Sequence, residues 1–200
     1  SVYDSKIFSY LNESNDSIEL RYGENPHQKG RFIGSFNECF EQINGKEISY
    51  NNLLDIDSSI NLLRDLVSDK AIFLIHKHNN PCGVAIRDSL TEAYNDSLAS
   101  DNISAFGGIL TTNKIVDENT ANQINELFFE ILIAPDFENG ALKVLKSKKN
   151  RILIKLKKFP NESIQRRTCL NGELEQDFDN KTETFEDFKV VTNISPDKNN

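Results

Sequence analysis

The run Ala71-Ile72-Phe73-Leu74-Ile75-His76 constrains the fold more than any other stretch of this chain. It is almost purely apolar, does not alternate, and is shorter than an ordinary buried helix. Such a run reads as a strand covered on both faces, as in sheets with helices above and below. Further buried strands are expected at Ile109–Thr112, Glu130–Ala134 and Arg151–Leu156. Helical spacing fills the intervals. Leu53, Ile56, Ile60, Leu63 and Val67 predict a helix over 52–67 with Asn52 as its cap. Ser89 to Ala99 reads as a short helix, Asp117 or Asn119 can cap another running to about Phe128, and Asn139 to Lys148 is helical beyond Pro135. Strands alternating with helices imply an α/β chain with a largely parallel sheet covered on both sides. Near the end, Arg166–Leu170 and Glu173–Gln176 are expected to pair around an Asn171-Gly172 turn. From Ser195 the tail is polar and expected to lack order.

The residues just beyond that first strand are chemically richer. In α/β sheets ligands sit in the crevice beyond the carboxyl ends of strands. Here that end carries Lys77-His78, a cation beside a base, and then Asn79-Asn80-Pro81-Cys82-Gly83, which reads as turn chemistry. On these residues alone such a pair is more often a solvated loop than a reactive centre. Two more segments add weight. Leu20-Arg21-Tyr22-Gly23-Glu24-Asn25-Pro26-His27-Gln28 is a polar loop with Arg, Tyr and His around a Gly and an Asn-Pro. Ser104-Ala105-Phe106-Gly107-Gly108-Ile109 brings paired glycines to the start of an apolar stretch.

With these segments in view, the chain resembles the AICAR transformylase part of the bifunctional purine biosynthesis proteins. The resemblance rests on Arg21 to Gln28, on Ser49-Tyr50-Asn51-Asn52 with Leu53-Leu54-Asp55-Ile56-Asp57, and on Lys77 to Gly83. It continues through Ser104 to Ile109, Ile131 to Phe137, and Ala141 to Asn150. Six stretches in family order are far more specific than any one. The resemblance implies a three-layer, cytidine-deaminase-like sandwich with a mostly parallel or mixed sheet. It also implies that residues 1–194 form the first transformylase subdomain, with 1–19 as a lead-in and 195–200 as a polar tail. The cyclohydrolase domain and the second transformylase half of family members have no counterpart in this sequence. Glu173 and Glu175 stand where the family tends to be more apolar, which suits an edge strand.

The implied reaction moves a formyl group from 10-formyltetrahydrofolate to the 5-amino group of AICAR ribotide. That amine is a poor nucleophile, so a base must take its proton as the bond forms. A neutral imidazole, titrating near ~6.5, suits this at neutral pH. By resemblance the base is His78, and Lys77 meets the negative charge that develops on the formyl oxygen. Arg21 and Tyr22 match positions that contact the ribotide; the Arg fork suits its phosphate. Gly107 matches a glycine whose backbone approaches the ribotide, and Glu130 an acidic position able to accept hydrogen bonds from ribose or base. His27 and Asn79 are assigned positioning at most, and Cys82 is expected to be a small buried residue. Folate and ribotide are the expected partners, with a homodimer in the full-length protein and the cyclohydrolase activity elsewhere in it.

Composition fits that reading and narrows the alternatives. With 38% hydrophobic and 27% charged residues the chain is ordinary for a soluble domain, and no apolar run approaches the roughly 20 residues of a membrane span. No signal-peptide pattern opens it, and three scattered cysteines suggest neither disulfides nor a zinc cluster. A cytoplasmic setting is expected. The net charge of −8 argues against a nucleic-acid surface but permits a local cationic cleft. Lys146, Lys148 and Lys149, and Lys155, Lys157 and Lys158, read as solvated faces. Zinc-dependent deamination fails on ligand count. It needs His-x-Glu and Pro-Cys-x-x-Cys, whereas Ala85 stands three after Cys82 and no His-x-Glu occurs. The remaining alternative is a non-catalytic ribotide-binding or structural half-domain that needs the missing half for activity.

Overall fold

Strand β4 (Ala71–Lys77) lies inside a sheet and is buried from Ala71 to His76. A computed structural model describes residues 17–161, 163–181 and 183–195. The lead-in as far as Asp16 and the tail beyond Ser195 fall outside the described residues. The chain divides at Pro160 into two units.

The first unit is a sheet between two layers of helix. Its strands are β3 (Phe40–Asn44), β4, β5 (Asn80–Arg87), β6 (Ile109–Thr112), β7 (Ile131–Ala134) and β8 (Ile152–Leu156), in the order β3-β8-β7-β6-β4-β5. Only β6, β7 and β8 run parallel; β3 pairs antiparallel with β8, and β4 antiparallel with both β6 and β5. The sheet is therefore mixed rather than largely parallel. A hairpin of β1 (Ser17–Leu20) and β2 (Gly30–Ile33) and a short helix α1 (Phe36–Cys39) precede it.

Alternate residues of each strand feed two cores. Ala71, Phe73 and Ile75 of β4 pack with Leu110, Leu132 and Leu153 against α3 (Leu90–Ser100), α4 (Glu118–Ile124) and α5 (Asn139–Leu145). On the other face Ile72 and Leu74 pack with Ile109, Ile131, Ile133, Ile152 and Ile154. There they meet Ile56, Ile60 and Leu63 of α2 (Tyr50–Asp65). Each fully buried Leu, Ile or Phe of this kind stabilises the fold by about 1.5–3 kcal/mol relative to exposure, which is why these strands appear as unbroken apolar runs.

Three local readings need correction. Helix α2 starts at Tyr50 rather than Asn52. Ser49 is its N-cap, accepting from the Asn52 amide at 3.1 Å, while Asn52 Oδ1 accepts from the Ser49 amide at 3.2 Å. This reciprocal cap makes Asn52 the third helical residue. Second, Asn80 to Gly83 is not loop but the start of β5, an edge strand, where Pro81 costs no inner ladder bond. Gly83 answers to packing: a Cβ there would lie 2.0 Å from the Ser97 carbonyl oxygen of α3. Third, α4 ends at Ile124, short of Phe128.

The second unit contains a hairpin of β9 (Ile164–Cys169) and β10 (Gly172–Asp177). Cys169 pairs with Gly172, so the turn residues are Leu170 and Asn171, one position earlier than expected, with Leu170 at φ 54°. Opposite each other, Arg166 and Glu175 form an ion pair at 2.8 Å. Among the described residues, no helix is long and apolar enough to cross a membrane.

Candidate active site

Because β4 runs antiparallel to β6, its carboxyl end lies beside the amino ends of β6 and β7. The cleft is built at that edge, from one strand's exit and its neighbours' entrances. It encloses about 500 Å³. Lys77 and His78 reach it from the end of β4, Gly107 and Ile109 from the start of β6, and Glu130 from the residue before β7. Arg21 and Tyr22 close it from the β1–β2 connection, and the first turns of α2 add Ser49, Asn51, Asn52 and Asp55.

Each group has a local reason for its place. Lys77 pairs with Asn80, leaving a two-residue turn at His78 and Asn79 whose φ angles are 55° and 61°. Positive φ at both central residues is the mark of the tight hairpin turn whose twist matches its strands. His78 is exposed there, and the Lys77 ammonium donates to the Phe106 carbonyl oxygen at 2.7 Å. The next residue, Gly107, has φ 75° and donates its N–H to the Phe128 carbonyl at 2.7 Å. Glycine is favoured at that left-handed angle, which leaves this backbone bare beside the cleft.

Glu130 is held along its backbone from both sides. Its N–H donates to the Gly108 carbonyl at 3.0 Å, and its carbonyl accepts from Ile152 at 2.9 Å. Its carboxylate accepts from Asn52 Nδ2 at 3.2 Å and pairs with Lys46 Nζ at 3.4 Å. Lys46 and Glu130 also line a neighbouring cavity of about 510 Å³. The β1–β2 connection folds on itself: Gly23 N–H donates to the Gln28 carbonyl at 2.8 Å, and Gln28 Oε1 accepts from the Asn25 amide at 2.7 Å. Asn51 Nδ2 ties it to α2 through the Glu24 carbonyl at 3.3 Å. The Arg21 guanidinium lies 5.5 Å from the centre of the Tyr22 ring.

Six residues singled out in the sequence, Arg21, Tyr22, Lys77, His78, Gly107 and Glu130, thus line one cleft. His27 and Asn79 do not: His27 is exposed in the β1–β2 connection, and Asn79 meets α2 through its backbone. Cys82 is half-buried with its thiol 3.5 Å from the Ile75 carbonyl, and burial pushes that thiol upward. Sequence reasoning missed Lys46 and Asp55 as members of the site. The signals were present, in the Gly45-Lys46 turn and in the Ser49-x-x-Asn52 cap that orients the first turns of α2. Three cations (Arg21, Lys46, Lys77) and three carboxylates (Glu47, Asp55, Glu130) line the cleft together. This chain is acidic overall, so the cleft departs from its surroundings. Behind it His76 is buried with Nδ1 unpartnered; burial holds its pKa below the usual range, and the Asp55 charge opposes that in part. Among the described residues no group of three or more His, Cys, Asp and Glu is placed to hold a metal ion.

A family profile described as "AICARFT/IMPCHase bienzyme" matches residues 1–200. A protein of Bacteroides thetaiotaomicron named "Bifunctional purine biosynthesis protein PurH" is 47% identical over 98% of this chain and 40% of its own length. Proteins of the same name from Thermoanaerobacter sp. and Clostridium botulinum are 39% and 41% identical, each over 98% of this chain and 42% of their own length. The chain spans about two-fifths of the length of these relatives.

Proposed function

This chain belongs to the AICARFT/IMPCHase bienzyme family, and from that premise we propose that its cleft is the ribotide side of a formyl-transfer site in purine biosynthesis. The observation that carries the reading is convergence. Arg21, Tyr22, Lys77, His78, Gly107 and Glu130 are scattered through the sequence and meet around about 500 Å³.

In this reading the Arg21 fork and the Tyr22 hydroxyl bind the ribotide phosphate. Glu130, fixed by Asn52 and Lys46, accepts from ribose hydroxyls or base N–H groups, and the bare backbone at Gly107 lets the sugar approach. The 5-amino nitrogen attacks the formyl carbon of 10-formyltetrahydrofolate as His78 takes a proton from it. Negative charge gathers on the formyl oxygen, where the Lys77 ammonium meets it after leaving the Phe106 carbonyl. The tetrahedral intermediate collapses by breaking the bond to the folate nitrogen, which departs with a proton. The products are the formylated ribotide and tetrahydrofolate. The helix–sheet–helix layering and mixed strand order support assigning the sandwich to the cytidine-deaminase-like class.

A second reading is favoured by the span of the chain. Covering two-fifths of its relatives, it serves as the ribotide-binding half of a site that other segments, and a second subunit, complete with folate contacts. The two readings differ in turnover and share ribotide binding. Calorimetric titration with AICAR ribotide, on this chain and on Arg21→Ala, tests what they share. Saturable binding that weakens at least about tenfold in Arg21→Ala supports the site. No binding, even after addition of the remaining length of a relative, overturns it.

A further inference from the structure

Asn79 makes its contacts with α2 through its backbone, its N–H within the peptide that follows His78 and its carbonyl within the next peptide. Its N–H donates to Asp55 Oδ1 at 2.6 Å, and its carbonyl accepts from Ser58 Oγ at 3.2 Å. Asp55 and Ser58 stand three apart on α2 and so share a face of that helix. The carbonyl of His78 is also held, accepting from Asn80 Nδ2 at 2.8 Å. The peptide plane between His78 and Asn79 is therefore tied at both of its polar ends.

That plane matters because it can flip. Turning the central peptide of a two-residue hairpin exchanges the two common turn forms and changes φ at the second residue from positive to negative. In this chain neither central residue is glycine, and left-handed backbone at a non-glycine residue costs about 1–2 kcal/mol unless its surroundings enforce it. A carboxylate accepting a backbone N–H is a strong enforcer. Asp55 also lines the cleft beside Lys77 and His78, so the same side chain that holds the turn faces the reacting groups.

We propose that Asp55 is a positioning residue that clamps the His78–Asn79 peptide, while Ser58 steadies the Asn79–Asn80 peptide beside it, and so sets the direction in which the imidazole meets the ribotide amine. It acts through the turn and not on the substrate. The proposal rests on the formyl-transfer reading for its consequence, but the clamp can be measured without any reaction.

The test compares Asp55→Ala, Asp55→Asn and Ser58→Ala. Amide exchange at Asn79 and ribotide affinity are read on this chain. Turnover is read on the Bacteroides thetaiotaomicron relative carrying this chain in place of its matching segment. In Asp55→Ala, exchange at Asn79 accelerates at least about tenfold and kcat falls about tenfold to a hundredfold, a larger factor than any change in ribotide affinity. Asp55→Asn keeps an acceptor oxygen and restores both. Ser58→Ala moves both readouts in the same direction by less, and serves if Asp55→Ala fails to fold. Unchanged protection of Asn79 in Asp55→Ala and Ser58→Ala overturns the clamp. Lost protection with unchanged kcat overturns its positioning role. A chain that binds no ribotide counts against the proposed function alone, because the exchange measurement stands without it.

Discussion

Asn52 joins the start of α2 to Glu130: its Oδ1 accepts from the Ser49 amide at 3.2 Å while its Nδ2 donates to the Glu130 carboxylate at the same distance. One buried side chain therefore closes the helix cap and aims an acid of the cleft. Asn52→Ala removes both and is expected to lower stability by about 1–2 kcal/mol in urea denaturation, with weaker ribotide binding. Asn52→Asp keeps an acceptor for the cap but sets a second carboxylate beside Glu130. It should also lose stability, through repulsion between the two carboxylates, and recover part of it as pH falls and one of them is protonated, whereas the loss in Asn52→Ala lacks that pH dependence.

Replacing His78 should cost turnover more than binding. General-base assistance contributes about 10²–10⁴-fold, and a group that acts only as the bond forms leaves the ground-state complex nearly intact. His78→Ala, assayed in the relative carrying this segment, is expected to lose activity on that scale with ribotide affinity almost unchanged. A large rise in KM at unchanged kcat would instead make His78 a binding residue.

Stability should fall with acid in a way that depends on His76. Burial lowers its pKa in the folded chain below the ordinary value, so just under about pH 6.5 the unfolded state binds more protons than the folded state. Its contribution is full above the unfolded pKa and is lost as pH falls toward and through the folded value. Urea midpoints at about pH 7.5 and about pH 5.5 should therefore drop more in the parent than in His76→Leu, which cannot take up the proton. Equal drops would place the acid sensitivity elsewhere.

Gly45 controls how Lys46 reaches Glu130. Its φ is 107°, and a Cβ there would lie 2.4 Å from the Arg151 carbonyl oxygen, which Asn44 Nδ2 also engages at 2.7 Å. Gly45→Ala should destabilise the chain by about 1–3 kcal/mol through strain and overpacking. It should also weaken ribotide binding, because Lys46 no longer meets Glu130. Lys46→Ala should reproduce the binding loss without the shift in thermal midpoint.

The inner strands were legible because a strand buried on both faces must be apolar throughout, and runs such as 71–76 and 131–134 have few other uses. Their directions were not. Periodicity has no arrow, so the antiparallel placement of β4 against β6 came only from the structure. β5 was hidden because Pro81 and Gly83 look like turn residues, and only an edge position beside α3 makes a strand of them. Arg21, Tyr22, Lys77, His78, Gly107 and Glu130 were marked by family resemblance. Lys46 carried no such mark, since a glycine conformation delivers it to the cleft, and Asp55, although inside a matching stretch, was given no role, since what it engages is a backbone amide.

The two-residue turn between β4 and β5 makes the length of this segment as restrictive as its composition. One residue inserted between Lys77 and Asn80 must either bulge the hairpin or slip β5 against β4, and a slip turns every side chain of β5 to the opposite face. Gly83 would then leave the Ser97 backbone, and a residue with a Cβ would be driven into α3. Engineering or natural drift can therefore exchange side chains here more readily than it can add or remove a residue, and insertions have far freer scope in the exposed connection around His27.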